Sequence, residues 1–284
     1  MTLAGASCWG LSGSMAQYLF TAEHMESRWL VPVRMSAAGV ILLAYCFVHY
    51  GRRQTLLPFG GWKRAGTMLF YAIAGIAACQ YLYFTTIQLS NAAIGTILQN
   101  LAPVLVLLYV CVRNNRLPGA SEIFSILLAL FGVFLLTTHG DIRSLTVPEA
   151  AIVTGLLSAI AVMIYNVVSP SLTKESPVLI IQGWAFLIGG ILFSVLFRVW
   201  NSGCVLTPGG FIGIVFVVAV GCIAAYPLYI AGVAIIGPQK AVLYSFAEAV
   251  TAAIVSALFL QTRYTVCDLG GFICIFFMLW IITV

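Results

Sequence analysis

Glu248 is a carboxylic acid set in an apolar run, Tyr244-Ser245-Phe246-Ala247-Glu248-Ala249-Val250, and the one basic residue near it in sequence is Lys240. A carboxyl at the centre of a bilayer costs about 3 kcal/mol or more, so such a group faces a cavity, pairs with a partner or stays protonated. It is the leading candidate for accepting a proton or binding an ammonium group. The other reading is a neutral Glu that ties two helices together by a hydrogen bond. Arg34, in Trp29-Leu30-Val31-Pro32-Val33-Arg34-Met35, is the leading cation. Near the outer end of its segment, its guanidinium fork suits a substrate carboxylate or an acid that closes a gate. A long side chain near a helix end can equally snorkel to the headgroups.

Uncharged polar residues recur in patterns that could complete a site. Gln80 and Tyr83, with Gln88, form one stripe, and Tyr226 and Tyr229 form another. Residues three apart share a helix face. Thr96, Gln99, Asn100 and Pro103 are answered further on by Tyr244, Ser245 and Glu248, while Asn166 and Ser12 or Ser14 rank lower. Polar groups are expensive in lipid, so these faces should meet around a wet or substrate-filled space. Hydrogen bonding between helices with no ligand is the alternative for any one of them. Pro103 and Pro227 are expected to interrupt their helices and free carbonyls.

Gly10-Leu11-Ser12-Gly13 fits the pattern around the serine of rhomboid-type intramembrane proteases. That chemistry needs a His base. His24, His49 and His139 all fall at or beyond the ends of apolar segments. Small residues at that place are also what close helix packing requires. No phosphate-cradling loop points to ATP. The eight cysteines contain no Cys-x-x-Cys pair and no neighbouring His at ligand spacing, so neither metal nor cofactor is expected. Cys204 and Cys267 fall in loops on one side, where a bridge is conceivable.

The elements that must hold these residues are membrane spans. With 62% hydrophobic and 7% charged residues, the 284-residue chain lies far from a soluble globule, in which about a quarter of residues are charged. Its net charge of +5 calls for no nucleic acid. Hydrophobic sequence begins at Leu3 and reaches Val284, and no cleavage site follows the first segment, which is expected to be a retained span. About 20 apolar residues cross a hydrocarbon core. Breaks at charged, Gly or Pro clusters give ten such segments: 3–22, 29–50, 65–89, 92–112, 120–138, 149–169, 177–200, 209–236, 238–260 and 266–284. Ser90-Asn91 and Gly237-Pro238 are the two tightest joints.

The second half echoes the first at a shift of 146. Gly75, Ala78, Leu82, Tyr83, Val104, Phe131 and Thr137 recur as Gly221, Ala224, Leu228, Tyr229, Val250, Phe277 and Thr283. The expected fold is therefore an all-α integral membrane protein of ten helices in two five-helix repeats, 1–138 and 149–284. With five spans in each, the second repeat enters the membrane inverted, the build of an alternating-access carrier. With the N-terminus inside, Arg52, Arg53, Lys63, Arg64, Arg113, Arg116, Lys174 and Lys240 are cytoplasmic, against Arg28, Arg143, Arg198 and Arg263 outside. This obeys the positive-inside rule and puts both termini in the cytoplasm. The loop from Gly51 to Arg64 reads as a plain anchor at the anionic leaflet.

Over nearly its full length the chain resembles the EamA-type families of the drug/metabolite transporter superfamily. The resemblance lies in Ala6-Ser7-Cys8-Trp9-Gly10-Leu11, Val33-Arg34-Met35-Ser36-Ala37-Ala38, Tyr83-Phe84, Ser90-Asn91-Ala92-Ala93, Leu101-Ala102-Pro103-Val104 and Phe246-Ala247-Glu248-Ala249-Val250, the last with Ala249 in place of the family's proline. Where the family often carries Glu before Arg-Leu, this chain has Asn115-Arg116-Leu117 and Thr262-Arg263-Tyr264. The resemblance implies a central cavity lined by the first four spans of each repeat, with the fifth and tenth peripheral. It also implies ATP-independent transport of small molecules, often export of amino acids or related metabolites, across the cell inner membrane. On this reading Glu248 accepts protons or binds ammonium, Gln80, Tyr83, Gln99, Asn100, Tyr226, Tyr229, Tyr244 and Asn166 line the cavity, and Arg34 clamps a carboxylate or gates. The partners are a small-molecule substrate, the lipid bilayer and the proton, with oligomeric state left open. Two other readings stand: an exporter of bulky cationic or aromatic compounds, with Glu248 and the tyrosines forming a cation-binding pocket, and a non-transporting membrane sensor.

Overall fold

The computed structural model describes residues 1–90, 92–138, 148–201, 207–260 and 266–283. The described residues form α-helices joined by short turns: α1 (Thr2–Thr21), α2 (Ser27–His49), α3 (Trp62–Leu89), α4 (Ala92–Gln99 and Ala102–Arg113), α5 (Ala120–Thr138), α6 (Glu149–Thr173), α7 (Val178–Phe197), α8 (Pro208–Ile236), α9 (Pro238–Tyr244 and Ala247–Leu260) and α10 (Val266–Thr283). Several starts are written in proline, which suits a first helical turn because it has no N–H to leave unpaired. Pro208 and Pro238 open α8 and α9, and Thr207 caps α8 by accepting the Gly210 N–H at 2.9 Å. Gly237 joins α8 to α9 at φ +80°, a conformation that favours glycine.

Among the described residues six helices are long and apolar enough to cross a membrane: Ser27–His49, Trp62–Leu89, Ile94–Arg113, Glu149–Thr173, Val178–Phe197 and Pro208–Ile236. Shorter apolar runs lie in α5 (Ala120–Leu135) and α10 (Leu269–Ile281). Helices pack where glycine lets backbones close in. In α2 and α7, a Cβ on Gly39 would meet Leu187, one on Gly190 would meet Ser36, and one on Gly183 would meet Leu43, so the two run antiparallel. The same geometry sets Gly5 against Tyr229 and Gly213 against Leu19, so α1 and α8 are antiparallel along their length. Gly132 packs on Ile275 and Gly270 on Leu135, which pairs α5 with α10 the same way, around a second apolar core.

Two irregularities recur at the spacing of the sequence repeat. A stretch of π-helix occupies Tyr71–Ala77 in α3 and Val217–Ala224 in α8, each holding one of the repeated glycines, Gly75 and Gly221. Both α4 and α9 are broken, at Asn100-Leu101 and Ser245-Phe246. Pro103 interrupts α4 as expected, the break falling just before it, while Pro227 lies inside the helical stretch Ala225–Ile236 that follows the π-helix of α8. The break in α9 occurs although Ala249 stands where α4 has Pro103. Its chemistry is visible: the Ser245 hydroxyl donates to the Val242 carbonyl (2.7 Å), and the Phe246 N–H turns to Leu243 instead. A serine that bonds back in this way competes with the helix ladder.

The 51–64 loop is more than an anchor. Thr55 is fully buried, its carbonyl accepts the Trp184 indole N–H at 2.8 Å, and Phe59 packs edge-on against Trp184. Past it, Arg64 pairs with Glu175 at 2.7 Å, joining the first half to the second. Cys204 lies outside the described residues, as do His139, Arg143 and Arg263, so a Cys204–Cys267 bridge does too; Cys267 is exposed.

Candidate functional site

A small, partly open cavity of about 50 Å³ lies between the halves, room for only a few water molecules. Helices α1, α2, α3, α4, α6, α8 and α9 all reach it, and none of its described lining residues comes from α5 or α10. Its wall includes Arg34, Gln80, Tyr83, Gln99, Asn100, Tyr226 and Glu248 from the residues singled out above, with Trp9, Phe84 and Tyr165 beside them.

Arg34 is 3% exposed, so it does not snorkel to the headgroups. Its position near a helix end in sequence misleads because α7 and α3 cover that end of α2. The guanidinium donates to Gln80 Oε1 and stacks over the Phe84 ring, 3.9 Å from the centroid. Glu248 lies in the first turn of the second part of α9, where backbone N–H groups favour a negative charge. The Tyr83 hydroxyl lies 3.3 Å from Glu248 Oε1 as donor and 3.2 Å from Thr96 Oγ1. Among the described residues the ion pairs are Arg64–Glu175 and Arg116–Glu122, so Arg34 and Glu248 face one cavity without pairing. The position equivalent to Glu248 in the first half is Ala102, which also lines the wall. The repeat therefore supplies one carboxyl at this level and not two.

Gln99 turns its amide to the Ser158 hydroxyl at 2.7 Å. Tyr229 and Asn166 are brought together, but behind the wall: the tyrosine donates to Asn166 Oδ1 at 2.9 Å, and both are fully buried. Tyr244 is half-buried and does not line the cavity. Gln88 is also elsewhere, accepting the N–H and hydroxyl of Ser27 at the start of α2. The Gly10-Leu11-Ser12-Gly13 motif serves packing. A Cβ on Gly10 would sit 2.5 Å from the Glu248 carbonyl oxygen, and Ser12 nests against Gly221.

Trp9, Phe84 and Tyr165 are among the wall residues that site reasoning from sequence missed, and Trp9 is the one of them with a side-chain N–H to offer. Tyr226 and Tyr229 hold its indole, each with ring centroids at 4.7 Å. The one sequence signal was the Trp-Gly pair in the family resemblance. Polar ties join the two halves at both ends of the bundle. At one, Arg116 makes a two-pronged pair with Glu122 (2.8 and 2.7 Å), and Gln239 of the second half bridges both side chains. Glu122 thus supplies the carboxylate that Asn115 does not. At the other, Glu23 accepts from Tyr18 and from Thr207.

The model of the EamA-like transporter family matches residues 1–138 and again residues 149–284. The uncharacterized inner membrane transporter YicL of Salmonella typhimurium is 30% identical over 269 residues, covering 95% of this chain and 89% of the relative. The uncharacterized transporter YwfM of Bacillus subtilis is 25% identical over 261 residues, covering 91% and 84%. A protein of known crystal structure shares the fold with a TM-score of 0.75 at 14% identity, over 98% of this chain and 97% of the other. On these matches the chain belongs to the EamA-like transporter family of the drug/metabolite transporter superfamily, and it is a multi-pass integral membrane transporter.

Proposed function

We propose that the protein is a secondary carrier that exports small metabolites such as amino acids or related amines by alternating access, with Glu248 coupling flux to protons. All ten helices cross the membrane in this reading, as two inverted repeats with both termini in the cytoplasm. The recurrence of π-helix in α3 and α8, the matched breaks in α4 and α9, and the antiparallel packing of α2 on α7 support it, because equivalent helices of inverted repeats run in opposite directions. The observation that carries the functional reading is a buried cation and an acid that face one small cavity between the halves without pairing. Leaving both unpaired is costly unless a ligand or proton completes them in part of the cycle. A cavity this small admits a metabolite only when the halves part, which suits rocking around a midplane site. Lining residues Gln80, Tyr83, Gln99, Asn100 and Tyr226 contact the substrate, while Tyr229, Asn166 and Tyr244 support the wall from behind.

The test is flux of an amino-acid and amine panel in proteoliposomes, with and without a pH gradient, for wild type and Glu248→Gln. Gradient-driven flux lost in Glu248→Gln is expected. Flux that survives in this variant at every pH would remove Glu248 from the mechanism, and no flux of any compound in wild type would overturn the carrier reading for this panel.

A further inference from the structure

Five buried side-chain polar atoms lack a partner within the described protein, and three belong to residues that line this one cavity: Trp9 Nε1, Arg34 Nε and Gln80 Nε2. All three are donors. Trp and Arg have no acceptor to offer, and Gln80 is fixed in orientation because its Oε1 receives the Arg34 N–H, leaving its NH₂ end free. An unsatisfied buried polar atom is rare, and three of one kind on one wall describe what the wall needs. The ligand must present acceptors.

The charge narrows this further. Among the described lining residues Arg34 is the one cation, and no acid pairs with it. The Phe84 face offers a partial counter-charge, but a ring quadrupole takes up none of the free N–H groups. A carboxylate supplies two oxygens, about four lone-pair sites and one negative charge. A phosphate would bring a second negative charge to a lining that holds a single cation and, in Glu248, an acid. We infer that the Trp9, Arg34 and Gln80 donors form a carboxylate-binding subsite, so that the carrier takes carboxylates and discriminates against amines that lack one. This rests on the reading of the cavity as the transport site, narrows its cargo from amino acids and related amines to those that bear a carboxylate, and excludes the cationic-compound alternative.

Binding is tested apart from flux. The purified protein in nanodiscs is titrated with acetate, 3-phenylpropanoate, phenylalanine, phenylalaninamide, 2-phenylethylamine and phenylphosphonate, and alkylation of Cys79 in the wall is followed by peptide mass spectrometry to place the binding. At least one carboxylate is expected to bind and slow Cys79 alkylation, with the matching amide, amine and phosphonate about tenfold weaker or more, as loss of hydrogen bonds to a charged group implies. Arg34→Lys keeps the charge but removes the Nε donor and the fork, and should weaken carboxylates at least tenfold. Trp9→Phe deletes the indole N–H while keeping an aromatic ring, and should weaken them several-fold without changing amine binding; it covers the case in which Arg34→Lys does not fold. Amines or the amide bound as tightly as carboxylates, no carboxylate bound at all, or Trp9→Phe without effect would each overturn the inference. Carboxylates that bind at Cys79 yet never cross a liposome membrane would leave the subsite standing and sink the carrier reading instead.

Discussion

Gln239→Ala should loosen one end of the bundle while leaving each half intact. Gln239 opens α9 and reaches across to the first half, where its Nε2 donates to Glu122 Oε1 at 2.6 Å and its Oε1 accepts from Arg116 at 3.2 Å. The Arg116–Glu122 pair lies wholly within the first half and survives the substitution. Hydrogen bonds to charged groups are worth about 1.5–3 kcal/mol when buried. Glu122 is 25% exposed, so solvent screening reduces its hydrogen bond from Gln239 to about 1 kcal/mol. Lost from the closed arrangement alone, that shifts the equilibrium toward opening at this end by about fivefold. The assay is alkylation of Cys79 by a membrane-impermeant thiol reagent, in vesicles of the two orientations. The rate should rise about fivefold from the Gln239 end and not from the other. Glu23→Ala, which removes the Tyr18 and Thr207 ties but leaves Thr207 capping α8, should raise it from the opposite face. An unchanged or slower rate in Gln239→Ala, or acceleration from the wrong face, would refute the assignment of these clusters as opposed closures.

Two further outcomes follow from packing. Gly10→Leu places atoms where even a Cβ lies 2.5 Å from the Glu248 carbonyl oxygen and 2.9 Å from the Ala252 nitrogen, so α1 must retreat from α9; overpacking of this kind costs about 1–3 kcal/mol, and a lower thermal unfolding midpoint together with lost flux is expected, whereas a wild-type midpoint would show that the contact yields freely. Trp184→Phe leaves the buried Thr55 carbonyl without its indole donor, at a cost of about 1–3 kcal/mol read as a drop in the unfolding midpoint with substrate affinity unchanged; altered affinity would mean that the docked loop reaches the cavity.

Composition, the 146-residue echo and the span of each apolar run depend only on chain-local properties, and they placed the helices to within a few residues. Local patterning also singled out Glu248, because an acid in an apolar run is conspicuous wherever it folds. Breaks and alignments were harder. The discontinuity in α9 depends on a serine bonding back to a carbonyl, an interaction that competes with the ladder by a small margin and leaves no periodic trace. The π-helical stretches arise where Gly75 meets Tyr165 and Gly221 meets Ser12, contacts between helices far apart in sequence.

The sequence by itself determined that this chain lives in a membrane, that it is built twice, and that few ionisable groups are available inside it. Only the tertiary structure decided which of them share a space. Arg34 looked like an end-of-helix cation free to reach the headgroups, and the packing of α7 and α3 around α2 turned it inward onto Phe84 and Gln80. Tyr229 and Asn166 looked like cavity residues, and one hydrogen bond between them drew both behind the wall. Trp9 carried no charge to mark it, yet the packing of α1 on α8 set its indole against Tyr226 and Tyr229, in the lining of the same cavity as Arg34. Side-chain direction on a helix is set by rotation about the helix axis, and that rotation is fixed by neighbours the local sequence does not contain.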